Sequence, residues 1–405
     1  MTPEANYVEA CVPDYALPDP LTREDGSGIS TAEEWPGRRS ELLQLFARHQ
    51  YGYCPARRVH VGGRVLSGQP ETLDGRARMK QVEVNLHRSG KSLALGLLLF
   101  LPETPSTPVP VFLGLNFYGN HTVHPDPRIR LHRNWSPDSG ELRVTGNRAC
   151  AASRGLRAHR WPVEEIIGRG YALATVYCGD IDPDFDDGFH NGVHGLFDER
   201  DFTAPAEERW GTIAAWAWGL SRILDYIIKD EPDIDSSRVI AIGHSRMGKA
   251  ALWAAANDER FAAVISNESG CAGAALHRRR FGERLVHLNS TFPHWLNQRA
   301  KDYNEREDAL PFDQHQLLAL IAPRPVYIAS AAEDLWADPR GEFLSLIHAE
   351  PVYQLLDAGR MESHAMPQPG GALMERLSYH IRPGIHDLLP EDWRRFLDFA
   401  GREVR

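Results

Sequence analysis

Cysteine is scarce in this 405-residue chain: Cys11, Cys54, Cys150, Cys178 and Cys271 are widely spaced, form no C-x-x-C pair, and leave one over however they are paired. That spacing excludes a disulfide-stapled scaffold and a thiolate metal site, and free thiols are expected. Long apolar runs are missing as well, with no stretch near the ~18 residues a membrane helix needs. The opening MTPEANYVEACVPDYALPDP holds neither a basic segment nor an apolar one, so it does not read as a signal peptide. As written, the chain is expected to be soluble and cytoplasmic; a secreted or periplasmic location is expected if the sequence is a trimmed form. Positive charge is in deficit, 45 Lys and Arg against 55 Asp and Glu for a net −10, and no long basic run exists to track a phosphate backbone. Neither nucleic acid nor a membrane is an expected partner, and a monomer is expected.

What is present is an ordinary globular composition, 42% hydrophobic and 25% charged, with 34 Gly and 28 Pro spread along the chain. A chain this long buries a core without metal or disulfide staples. No internal repeat occurs. Residues 1–38 are acidic, Pro-rich and aperiodic, and read as an extended arm; residues 39–405 read as a single domain with loop insertions near 120–160, 179–209 and 277–310.

A helix is expected over Ser40–Arg48 with Ser40 as its cap. Strands are expected at the alternating Gln81–Leu86 and at the apolar runs Leu93–Phe100 and Val109–Leu115. Further on, a short helix at Pro162–Ile167 leads to a strand at Tyr171–Tyr177, a helix at Trp210–Lys229, a strand at Arg238–Ile242, a helix at Met247–Asn257 and a strand at Ala262–Ser266. Gln314–Ile321 and Pro339–His348 read as helices, Pro325–Ser330 and Pro351–Leu356 as strands, and Glu391–Phe399 as an amphipathic closing helix opened by Pro390. This alternation predicts an α/β fold, a mostly parallel central sheet with helices on both faces in a three-layer sandwich.

The most informative segment is Val239-Ile240-Ala241-Ile242-Gly243-His244-Ser245-Arg246-Met247-Gly248-Lys249. A β-branched strand enters a Gly-x-Ser turn and leaves directly as a helix, the corner on which α/β-hydrolases raise a serine hydroxyl above the sheet. Ser245 is therefore the candidate nucleophile. Met247 stands where G-x-S-x-G has its second glycine, and Gly248 follows one position later. The N–H of Arg246, at a helix N-terminus, would face the oxygen that becomes negative in acyl transfer, and the Arg246 guanidinium would add to it.

Such a serine needs a base, and the base needs an acid to hold its tautomer. His386, in a Gly-containing loop before the final helix, has the right position in chain order, with His380 and His364 as rivals among 18 histidines. Two acids compete. Glu268 ends the strand after the nucleophile helix and Asp334 follows a later strand, both at strand C-termini, where open α/β sheets place their chemistry.

The segment Gly243–Lys249 resembles the G-C/H-S-R-x-G-K signature of glucuronoyl esterases, carbohydrate esterase family 15. The resemblance continues through Ser266–Gly273, Phe292–Trp295, Leu310–His315, Ile321–Pro325 and the tail from His380 to Trp393, and covers roughly residues 40 to 400. It implies an α/β-hydrolase that cleaves the ester joining 4-O-methyl-glucuronic acid on xylan to an alcohol of lignin, so the implied partner is a uronic acid ester of a plant-type polysaccharide. By position it makes Ser245 the nucleophile, His386 the base, Arg246 the oxyanion donor and Glu268 the acid, with Asp334 matching the acid of some bacterial members. Lys249, Glu283 and Trp336 match positions that contact the sugar, and His294 and Trp295 are further candidates to line the cleft. His244 replaces a cysteine that forms a disulfide in fungal members, which implies a bacterial type. Independently of the resemblance, Lys249 lies one helical turn beyond Ser245, within reach of a hydroxyl beside the attacked carbonyl, and Trp336 can offer a ring face to a pyranose.

The acidic run Asp180-Ile181-Asp182-Pro183-Asp184-Phe185-Asp186-Asp187-Gly188 fails the calcium-loop template, since Asp187 falls at its glycine position and Val193 at its final glutamate, and is expected to be a solvated acidic loop. His121 and His124 lie outside any H-E-x-x-H pattern, so no metal and no cofactor are expected. Two other functions stay open beside the uronate esterase: an acetyl xylan or small-ester esterase of the same fold, and a carbohydrate-binding pseudoenzyme.

Overall fold

The computed structural model describes residues 3–67, 71–103 and 107–404. One sheet of eleven strands runs through it: β1 (His60–Ser67), β2 (Glu71–Thr72), β3 (Ala77–Arg88), β4 (Lys91–Pro102), β5 (Val109–Asn116), β6 (Ala172–Tyr177), β7 (Ile234–His244), β8 (Ala263–Asn267), β9 (Val326–Ala331), β10 (Ala372–Leu373) and β11 (Leu377–Arg382). Their spatial order is β1-β3-β4-β6-β5-β7-β8-β9-β11-β10, with β2 also paired to β3. From β6 to β11 every pair is parallel, and β1, β3 and β4 extend the sheet as an antiparallel meander joined at β4–β6.

Both faces of this sheet are buried, as the apolar runs require. Alternate side chains enter opposite layers: Val111, Leu113, Leu115, Val239 and Ala241 pack into one core, and Phe112, Ile240 and Ile242 into the other. The first core is closed by the helices Trp35–Phe46, Thr212–Asp230, Arg246–Asn257 and Pro339–Leu355, the second by Val163–Gly168 and Pro390–Glu403. The chain thus has the α/β-hydrolase sandwich, with the C-terminal ends of its parallel strands gathered at one end.

Two expectations for local structure are overturned. The first helix starts at Trp35, with Pro36 in its first turn, so Ser40 lies inside it and caps nothing. Pro351–Leu356 is not a strand: the helix from Pro339 runs on to Leu355 through Pro351, because Phe343, Leu346, Ala349, Val352 and Tyr353 recur at helical spacing and are all buried, and that packing outweighs the proline. The sheet's last parallel strand is instead β11, and His380 sits within it. All five cysteines are free thiols, and among the described residues no helix is long and apolar enough to cross a membrane.

The N-terminal arm lies along the body. Pro3 O pairs with the His287 ring at 2.7 Å, Asn6 O accepts from Gly282 N at 2.8 Å, and Pro18 O pairs with the His315 ring at 2.9 Å. Glu9 forms two bonds to Arg279, which in turn holds Asp338.

Candidate active site

β7 ends at His244 and the next helix begins at Arg246, so Ser245 alone turns the chain. Its backbone stands at φ 56° and ψ −129°, a conformation that costs a non-glycine residue on the order of 1–3 kcal/mol. The corner is tied down by Ser245 N donating to Asn267 O and by Gly248 N donating to Ser245 O, both at 2.8 Å. A Cβ on Gly243 would lie 2.0 Å from Met247 O, and one on Gly248 2.8 Å from Ser266 Oγ. The displaced second glycine therefore still lets the helix close onto β8.

His386 sits beside this corner, and two carboxylates meet its Nδ1: Asp334 Oδ2 at 2.6 Å and Glu268 Oε2 at 3.0 Å. β9 and β11 bring them together, since Ala332 N donates to Arg382 O and Glu333 N to Gly384 O, lacing the Asp334 loop to the His386 loop. Burial acts to lower the His386 pKa, but the hydrogen bonds its ring donates to Asp334 and then Glu268 outweigh it and lift the imidazolium to about 9. Glu268 lies fully buried just past β8; burial pushes it up, to about 7, against the pull of His386 and Arg382.

Arg382, also buried, is the clamp under this arrangement. Its Nη2 donates to Glu268 Oε1 at 2.7 Å and to the carbonyls of Ile385 and Asp387 at 2.8 Å, while its Nε reaches Asp392 at 3.2 Å. It fixes the acid and the loop that carries the base with one guanidinium. On the other side the ring of His244 lies 4.6 Å from that of His386, held through Nδ1 by Asn267 at 2.9 Å. Burial, then the neighbouring His386, keeps His244 well below the usual imidazole range, so it packs as a neutral ring. His244, Glu268 and His386 each place one donor atom within 4.8 Å of the others. Arg382 on the same glutamate and Asp334 on the same imidazole make this cluster an ion-paired relay.

The Arg246 guanidinium is built in with equal care. Nη1 pairs with Asp184 Oδ2 at 2.7 Å, and the group stands over the rings of Phe117 (5.1 Å), Trp295 (5.3 Å) and Phe292 (5.9 Å). Its Nε is buried without a hydrogen-bond partner among the described residues, a donor held ready. Asp184 Oδ1 in turn accepts from Trp295 Nε1 at 2.7 Å and meets His294 Nε2 at 3.2 Å. Burial would raise Asp184, yet Arg246, then His294 and Trp295, hold it below the usual carboxylate range. The acidic run is thus a solvated loop only in its second part, where Asp186 and Gly188 are exposed. Asp180 and Asp182 are buried, Thr212 Oγ1 and Trp216 Nε1 bind Asp182, and Asp184 anchors Arg246.

The remaining candidates divide. Trp336 is 43% exposed, with His287 5.4 Å behind its ring, and its carbonyl accepts from Glu283 N. Glu283 lies 3.6 Å from Lys249 Nζ. Lys249 is more enclosed than expected, its ammonium donating to Ser269 O at 2.6 Å and Cys271 O at 2.5 Å. His294 does not line the cleft; it is buried behind Arg246 on Asp184. Of the rival bases, His380 is a core residue between Tyr327 and Asp392, and His364 pairs with Glu350.

Comparison with known proteins matches this chain to a family. The model "Glucuronyl esterase, fungi" matches residues 204–357. A carbohydrate esterase of an unknown prokaryotic organism is 47% identical over 98% of this chain and 92% of its own. The chain belongs to the glucuronoyl esterases, carbohydrate esterase family 15. Among solved structures, a promiscuous esterase of this family from a marine bacterial metagenome superposes with a TM-score of 0.93 at 46% identity, covering 99% of this chain and all of that one. A glucuronoyl esterase from Solibacter usitatus superposes at 0.90 with 43% identity, covering 98% of this chain and all of its own. This glucuronoyl esterase family member is accordingly a carboxylic ester hydrolase of α/β-hydrolase fold.

Sequence reasoning missed the supports of this esterase centre. Asp184 was hidden in an acidic run whose spacing carries no signal for a buried ion pair. Arg382 and Asn267 lay within matched segments but have no local pattern that marks a clamp.

Proposed function

We propose that the enzyme hydrolyses esters of glucuronic acid and 4-O-methyl-glucuronic acid, as in lignin–carbohydrate linkages on glucuronoxylan. The observation that carries this reading is the link from Lys249, one helical turn beyond Ser245, to Glu283 at 3.6 Å, and from the Glu283 backbone to Trp336, which is 43% exposed two residues beyond Asp334. Ser245 Oγ attacks the ester carbonyl as His386 Nε2 takes its proton. Asp334 and Glu268 hold the Nδ1–H and stabilise the imidazolium. The Arg246 backbone N–H and guanidinium take the charge on the carbonyl oxygen. His386 then gives the proton to the departing alcohol, leaving a uronoyl ester on Ser245. Water, deprotonated by His386, attacks that ester and releases the free uronic acid and the serine.

A broader ester range is the second reading. The side chain of His386 is 40% exposed, so the centre is open and admits small acyl groups, and a similar structure bears the description promiscuous. One experiment separates the two: hydrolysis of a benzyl ester of glucuronic acid beside p-nitrophenyl acetate, in wild type and Ser245→Ala. Serine-dependent turnover favouring the uronate ester supports the first reading, turnover of acetate alone supports the second, and activity retained by Ser245→Ala overturns the mechanism.

A further inference from the structure

A polar cleft of about 410 Å³ opens beside the catalytic centre instead of over it. Its walls come from β3, β4 and residues 130–134. In register, Leu97 pairs with Val176, so the cleft-lining residues Ala94, Leu95 and Gly96 run past Tyr177 at the C-terminal end of β6. That is the end at which β7 delivers Ser245. In the strand order β4-β6-β5-β7, the cleft stands three strands from the nucleophile, about 14 Å at ~4.8 Å per strand.

The chemistry of its lining is specific. Arg64 is taken by Glu83 at 2.9 Å, whereas Arg130 and Arg133 have no carboxylate within ion-pair distance among the described residues. Asp180 is buried in the wall, bound by Gly96 N at 3.0 Å and Asn134 Nδ2 at 2.7 Å, with no lysine or arginine paired to it among the described residues. Burial lifts its carboxyl to about 6. The His132 ring packs tilted against the buried Tyr177 ring, centroids 4.1 Å apart, and burial holds His132 down to about 4, so it adds no charge near neutral pH. A guanidinium is the group that reads a planar carboxylate, and a buried carboxylate accepts from hydroxyls. None of these groups takes part at Ser245.

We propose that this cleft is a second, non-catalytic subsite, where Arg130 and Arg133 bind the free carboxylate of another uronate on the chain whose ester is held at Ser245. The inference rests on the uronate reading of the catalytic centre for the identity of its ligand. It makes the enzyme a reader of uronate-bearing polymer rather than of isolated ester groups.

The test is the double variant Arg130→Ala/Arg133→Ala, both positions exposed and outside the catalytic machinery. Kinetics are compared on benzyl glucuronate and on esterified glucuronoxylan, and migration is followed in gels cast with de-esterified glucuronoxylan or unsubstituted xylan. Each lost charged hydrogen bond is worth roughly tenfold or more in affinity, so KM on the polymer is expected to rise by about that factor, with kcat and KM on the benzyl ester unchanged. Retardation by glucuronoxylan, absent with xylan, is expected to disappear in the variant. Equal changes on both substrates would place the arginines in the catalytic site and overturn the proposal, as would unchanged kinetics on the polymer or equal retardation by neutral xylan. A protein inactive on uronate esters yet retarded by glucuronoxylan through these arginines would overturn the reading of the catalytic centre while supporting that of the cleft.

Discussion

Asp334→Asn and Glu268→Gln, compared across pH, test how two acids serve one base. Asp334 is the nearer carboxylate, at 2.6 Å against 3.0 Å from His386 Nδ1. Together they raise His386 to about 9, so the imidazole is protonated below that pH, and kcat/KM of the free enzyme should climb as pH rises toward it. Removing Asp334 takes away the largest raising influence, and the acid limb should move to lower pH. Glu268 still orients the base, so the loss should be that of one charged hydrogen bond, ~1.5–3 kcal/mol or roughly 10- to 150-fold in kcat/KM. Because burial lifts Glu268 to about 7, it is ionised mainly above that pH. The deficit of Asp334→Asn should be fully expressed near pH 10, where the base is free in both proteins, and should narrow toward neutral pH, where the wild-type imidazole is protonated first. The double variant, with no acid left, should lose on the order of 10⁴-fold, as when a triad base loses its orienting acid. Rates on benzyl glucuronate from pH 5 to 10 decide the matter. If Asp334→Asn keeps the wild-type profile while Glu268→Gln is dead, or the reverse, the sharing argument is wrong.

Other outcomes follow from the same geometry. Glu268→Gln should lower thermal stability more than Asp334→Asn, because it removes a carboxylate from the buried Arg382, and breaking a buried pair costs about 3–5 kcal/mol; equal melting temperatures would contradict the clamp. Ser245→Gly should abolish turnover yet raise stability by about 1 kcal/mol, since glycine tolerates φ 56° without strain, and a melting curve reads it. Asp184→Asn should lower kcat by tenfold or more with KM little changed, because the guanidinium of Arg246 loses its charged anchor; a change confined to KM would assign Arg246 to substrate binding. Glu9→Gln should raise KM on the sugar ester with kcat nearly unchanged, because Glu9 holds Arg279 and through it Asp338, two residues beyond Trp336; parallel measurement on p-nitrophenyl acetate should show no effect.

Some of this was legible in the order of residues alone. A β-branched strand, Gly-His-Ser and an immediate helix leave one residue to turn the chain, so the position of Ser245 was written locally, and the alternation of strand and helix dictated a mostly parallel sheet. Apolar periodicity also placed the central strands to within a few residues. It failed at Pro351–Leu356, where packing against the core carried a helix through a proline, and at β11, whose buried polar residues Ser378, His380 and Arg382 mask a strand. Chain order nominated His386 among 18 histidines, but its rivals are set aside by where the fold puts them: His380 inside the sheet, His364 on Glu350. What the tertiary structure alone decided were the relations between residues far apart in the chain. Two carboxylates that follow different strands converge on one imidazole nitrogen, Arg382 fastens acid and base, and Asp184 reaches Arg246 across 62 positions of sequence. Local sequence encodes spacing and propensity, whereas a buried charge is tolerable only beside its partner, and the packing of the whole sheet brings the partners together.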